Sequence, residues 1–121
     1  MSKFLDNFNK CVQAFPKRVS FSNSAGECLT YTQLDAYSSA LARFFESIGN
    51  GARPVVLYGH KEPYMIVGIV ACLRAGCPYV PADTSFPEAR VASILEQLDN
   101  PCVVCARADV PEFHGAIPTI I

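Results

Sequence analysis

Apolar residues along the chain fall into two rhythms. In the first, Phe4, Leu5, Phe8, Cys11, Val12 and Phe15 share one helical face, and Pro16 stops the helix they predict. Val19-Ser20-Phe21-Ser22 then alternates as a strand does. Asn23-Ser24-Ala25-Gly26 is turn chemistry and Cys28-Leu29-Thr30-Tyr31 returns, so a small hairpin is expected. Thr30 and Gln33 stand at capping-box spacing, where hydroxyl and amide satisfy orphan N–H groups at a helix start. Leu34, Tyr37, Leu41, Phe44, Phe45 and Ile48 follow at intervals of three and four. They predict an amphipathic helix that Gly49-Asn50-Gly51 ends.

The second rhythm is one of short apolar blocks. Pro54-Val55-Val56-Leu57-Tyr58-Gly59 reads as a strand buried on both faces of a parallel sheet. Pro63 suits the first turn of the next helix, which from Tyr64 to Leu73 is apolar nearly all round and is expected to be covered on most sides. Arg74 suits the negative end of its dipole and Gly76 its stop. Pro78-Tyr79-Val80-Pro81 is a brief strand. Ser85 and Glu88 repeat the capping-box spacing with Pro87 in the first turn, and Val91, Ile94, Leu95 and Leu98 form a stripe that Asn100-Pro101 ends. Cys102-Val103-Val104-Cys105 is another buried strand.

This β-α-β-α-β order with short links predicts an α/β fold: a parallel sheet with right-handed crossovers and helices on both faces, preceded by a small N-terminal helix and hairpin. The last residues, Ile117-Pro118-Thr119-Ile120-Ile121, are strand-like and apolar, which reads as a cut through a larger domain. An uncovered apolar strand is also expected to make the isolated chain self-associate.

Charge and composition narrow the classes. A net charge of -1 and scattered Lys and Arg give no electrostatic reason for nucleic-acid binding. Half of the residues are hydrophobic and 17% are charged, which suits one folded domain rather than a disordered chain. Asp6 and Asn7 interrupt any signal-peptide-like run, and the apolar stretch Tyr64 to Leu73 is far below the roughly 20 residues that span a bilayer. A soluble, cytoplasmic protein without membrane insertion is expected.

Cysteines stand at 11, 28, 72, 77, 102 and 105, mostly within apolar periodic segments, as reduced core thiols do. Cys102 and Cys105 have the C-x-x-C spelling of a redox or zinc site. In a strand, however, residues three apart point to opposite faces, and His114 alone leaves a tetrahedral zinc short of ligands.

Phosphate chemistry needs clustered glycines at a helix start, and in this chain they are dispersed at 26, 49, 51, 59, 68, 76 and 115. His60 follows a buried strand, where α/β folds place their sites, but the simpler role is local hydrogen bonding. Asp83 at the same edge is expected to cap the helix after it, Arg90 to pair with Glu88, and His114 to be solvated beside Glu112 and Gly115. No catalytic, cofactor-binding or metal-binding residue is assigned.

Three stretches carry a resemblance. Leu73-Arg74-Ala75-Gly76-Cys77-Pro78-Tyr79-Val80-Pro81-Ala82-Asp83 resembles the K-A-G-x-x-Y-V-P-x-D signature of adenylate-forming enzymes, the superfamily of acyl-CoA synthetases, luciferases and peptide-synthetase adenylation domains. Leu29-Thr30-Tyr31-Thr32-Gln33-Leu34 is similar to its L-T-Y-x-E-L element, with Gln33 in place of glutamate, and Phe86-Pro87-Glu88-Ala89-Arg90 to its P-x-x-R continuation. Within it, Tyr58-Gly59-His60, Pro63-Tyr64-Met65-Ile66 and Asp83-Thr84-Ser85 look most like the family that activates D-alanine for a carrier protein, with Ala82 departing from the bulkier residue common there.

The resemblance implies that residues 1–121 are the N-terminal subdomain of an AMP-binding domain. Its parent enzyme would use ATP and Mg2+ to make an aminoacyl-adenylate, and pass it to the phosphopantetheine thiol of a carrier protein for teichoic-acid decoration. It also implies that the phosphate loop, the amino-acid pocket, the ribose-binding Asp and the C-terminal domain's Lys lie beyond this sequence, so the chain alone is expected to be inactive and to need no cofactor. A peptide-synthetase adenylation domain and a non-catalytic interaction scaffold are the alternatives.

Overall fold

The computed structural model describes residues 3–47, 53–98 and 101–106, and the backbone of 118–120. Ile48, the stop at Gly49-Asn50-Gly51, Asn100, the loop with Glu112, His114 and Gly115, Ile117 and Ile121 lie outside the described residues.

The first helix, α1 (Lys3–Ala14), buries only Leu5 and Phe8. Phe4 and Phe15, assigned to the same face from their spacing, are nearly half exposed. Strands β1 (Val19–Ser22) and β2 (Cys28–Thr30) pair antiparallel as a hairpin. The capping box that opens α2 (Tyr31–Ser47) forms reciprocally: Thr30 N–H donates to Gln33 Oε1 at 2.9 Å and Gln33 N–H to Thr30 Oγ1 at 3.1 Å.

The apolar face of α2 is rotated from the one expected. Leu34, Ser38, Leu41, Ala42 and Phe45 point inward, while Tyr37 and Phe44 face outward. Small residues at 38 and 42 let the next helix approach closely, and bulky rings there would hold it off.

The second half is a parallel sheet. Strand β3 (Val55–Gly59) is followed by α3 (Pro63–Ala75), β4 (Tyr79–Asp83), α4 (Glu88–Gln97), β5 (Cys102–Cys105) and β6 (Pro118–Ile120), and the spatial order is β4-β3-β5-β6. Passing from β3 to β4 moves one way along the sheet, and from β4 to β5 the other way. Two right-handed crossovers therefore put α3 and α4 on opposite faces.

The side chains follow this arrangement. Val55, Leu57, Cys102 and Val104 pack with α1, α2 and α3, whereas Val56, Tyr58, Val103 and Cys105 pack with Ala82 and the α4 residue Val91. Alternation along β3 and β5 thus feeds two separate cores. Strand β4 is an edge, which accommodates Pro81 because a proline has no N–H to give to a further strand.

Helix α4 starts differently from expectation. Pro87 takes the N-cap position with φ -58 and ψ 150, so Glu88 becomes the first helical residue and cannot reach back to Ser85. The Ser85–Glu88 box does not form. Arg90, expected to pair with Glu88, instead lies 3.9 Å over the Phe86 ring.

Arg74 does more than complement a dipole. Its Nη2 donates to Asp35 Oδ1 at 2.7 Å, its Nε donates to Ser38 Oγ at 3.2 Å, and its guanidinium sits 5.6 Å from the Phe8 ring centroid. Ser38 is fully buried, and its hydroxyl donates in turn to the Asp35 carbonyl. One side chain therefore ties α1 and α2 to the end of α3.

Gly76 closes α3 in the left-handed region at φ 72, and its N–H reaches the Cys72 carbonyl. A Cβ at this position would meet nothing within 4 Å, so the demand for glycine comes from the backbone alone. Gly76→Ala is expected to lower unfolding free energy by about 1–2 kcal/mol, read from the urea midpoint.

Candidate functional site

Ligands of open α/β sheets gather at the carboxyl ends of the parallel strands. In this chain that edge is closed by hydrogen bonds among its own residues. Gly59 and Asp83, the last residues of β3 and β4, stand opposite each other in register. His60 Nδ1 lies 2.7 Å from Asp83 Oδ2, and Ser85 N–H donates to Asp83 Oδ1 at 2.8 Å. Chiefly through the Ser85 backbone bond, and then through His60, the carboxyl is held down at about 2. Asp83 is therefore an ionised acceptor, which makes Nδ1 of His60 the donor. The folded pKa is depressed, so these bonds persist above the ordinary carboxylate range and are lost only as pH falls through about 2.

The loop after β3 is fixed from three further directions. The Glu62 carboxylate accepts the His60 backbone N–H. Asn23, in the hairpin turn, donates from Nδ2 to the Lys61 carbonyl at 2.8 Å, while its Oδ1 accepts the N–H groups of Ala25 and Glu27. A Cβ on Gly59 would stand 2.7 Å from Met65 Sδ and 2.9 Å from the Ala106 Cβ, so the ends of β3 and β5 meet without room for a side chain. Between the turn and the first turns of α3 lies a cleft lined by Phe21, Met65, Ile66 and Ile69 together with His60.

Asp83 does not cap α4, whose N-cap is Pro87 with no side-chain bond; its carboxylate accepts the Ser85 N–H within the preceding turn and also reaches a partner. That partner is His60, 23 residues away in the chain, and no local spacing links the two. The signal lies in the parallel register, which sets Asp83 opposite Gly59 and so one position from His60.

The cysteines lie elsewhere. Cys102 belongs to one core and Cys105 to the other, so the C-x-x-C thiols face opposite sides of the sheet. Burial pushes Cys72 up to about 12 and Cys105 up to about 11, and raises Cys102 as well. Among the described residues no group of three or more His, Cys, Asp or Glu has the geometry to hold a metal ion, and no helix is long and apolar enough to cross a membrane.

The architecture is shared with solved structures. Klebsiella oxytoca NpsA, solved in complex with 3-hydroxyanthranilyl-AMSN, superposes with a TM-score of 0.73 at 22% identity, over 94% of this chain and 24% of that one. The fatty acid AMP ligase from Legionella pneumophila gives 0.70 at 24% identity, over 84% and 19%. At such identities these likenesses establish the fold.

The AMP-binding enzyme family matches residues 8–120, and the chain belongs to that family. D-alanine–D-alanyl carrier protein ligase of Staphylococcus epidermidis is 41% identical over 98 residues, 81% of this chain and 19% of that protein. The ligase of Staphylococcus haemolyticus is 36% identical over 117 residues, 97% of this chain and 23% of its own. The chain spans about a fifth of the length of these curated relatives.

Thiol reactivity checks the placement of the cysteines. Exposed Cys28 is expected to react promptly with Ellman's reagent and half-buried Cys11 more slowly, while Cys72, Cys77, Cys102 and Cys105 react only on unfolding. Rapid labelling of Cys102 or Cys105 in the native protein would contradict their burial as protonated thiols.

Proposed function

We propose that these residues form the N-terminal subdomain of the adenylation domain of a D-alanine–carrier protein ligase. The parent enzyme activates D-alanine with ATP and Mg2+ as an aminoacyl-adenylate. It then passes the aminoacyl group to the phosphopantetheine thiol of a carrier protein, in the cytoplasm, for teichoic-acid decoration. The observation that carries this reading is the 41% identity to the Staphylococcus epidermidis ligase over most of this chain.

Asp83 accepts from the Ser85 and His60 N–H groups and Glu62 from the His60 amide, so both carboxylates are engaged in fixing the loops. The 121-residue sequence also has no glycine cluster to wrap a phosphate. No step of the chemistry is therefore assigned to these residues. Their part is to build one face of the domain: a doubly covered sheet whose carboxyl edge is already fixed.

ATP–pyrophosphate exchange tests the proposal. A ligase with these residues as its N-terminal subdomain is expected to exchange with D-alanine well above L-alanine, and the 121-residue chain alone to stay at the buffer level. Exchange by the isolated chain, or a parent that prefers another acid, would overturn it.

A further inference from the structure

The carboxyl edge is fixed more tightly than stability requires. The His60 side chain is 52% exposed and that of Asp83 31%, and polar side-chain pairs so exposed contribute little to unfolding free energy. Yet this pair, the Ser85 N–H on Asp83, the Glu62 carboxylate on the His60 N–H and Asn23 on the Lys61 carbonyl all converge within two short loops. Loops at a strand end are ordinarily the looser parts of a fold. Thr84 N–H also donates to the Gly59 carbonyl at 3.1 Å, so the two strand ends are joined through backbone as well as side chain.

From this arrangement we infer that His60 is a positioning residue for the adenylation reaction: clamped by Asp83, it locks the β3–α3 and β4–α4 loops together at the edge where the fold receives its ligand. The inference rests on the proposed ligase function and adds a residue role to it. Its physical basis is preorganisation, since supporting groups displaced by an ångström slow a reaction whose reacting groups they never touch. The working atom is Nδ1, the donor to Asp83. An asparagine at this position keeps an N–H near Nδ1 but has nothing at Nε2, whereas alanine removes both.

The experiment compares His60→Ala and His60→Asn in the parent ligase by ATP–pyrophosphate exchange, with urea unfolding of each variant alongside. His60→Ala is expected to lower kcat/KM about tenfold while the urea midpoint barely moves, and His60→Asn to recover to within about threefold of the parent. An active parent whose His60→Ala variant is unchanged would overturn the inference and leave the functional reading standing. So would a His60→Asn variant as impaired as the alanine one, because Nε2 would then be the working atom. A fall in activity that follows the urea midpoint makes His60 merely structural and also overturns it. A parent that exchanges with no amino acid removes the functional reading, and this inference with it.

Discussion

Strand β3 is enclosed on every side. All five of its residues are buried, β4 and β5 pair along both of its edges, and its alternate side chains enter two different cores. A strand so placed tolerates no polar residue and no change of register, because a slip of one position would exchange the two sets of side chains. The helices answer to this constraint. With α3 committed to one face by its crossover, α4 must take the other, and α1 and α2 close over α3.

The family's signature elements acquire physical meaning in this frame. In the stretch from Leu73 to Asp83, Arg74 binds two helices to a third, Gly76 turns the chain in the left-handed region, Pro81 occupies an edge strand, and Asp83 clasps His60. The Thr30–Gln33 element is a capping box that starts α2. At the Pro87 element, Pro87 sets the first residue of α4 while Arg90 stacks on Phe86. None of these residues needs to touch a substrate for the pattern to be required. They assemble a support within a chain that belongs to the AMP-binding enzyme family and whose glycines are dispersed.

Much of what local chemistry determines was legible in the sequence. The capping box at Thr30, the stop at Gly76 and the buried strands at Val55 and Cys102 follow from side chains acting on their own neighbourhood. Pattern misleads where a distant element decides. Whether Tyr37 or Ser38 faces inward depends on how closely α3 approaches, and spacing along α2 does not contain that distance. The Ser85–Glu88 box fails for a local reason that spacing alone omits: Pro87 takes the N-cap and moves the helix start past Ser85. The His60–Asp83 pair required the register between two strands, which hydrophobic pattern alone leaves open.

Native-state hydrogen exchange of the 121-residue chain tests most directly whether β3 is the element on which the rest depends. The amides of Val56, Leu57 and Tyr58 are expected to exchange last, with free energies equal to that of global unfolding, while the hairpin and α1 open earlier. If the β3 amides exchange together with those of α1, or before those of α2, the enclosed strand is not the framework of this fold and its central role is refuted.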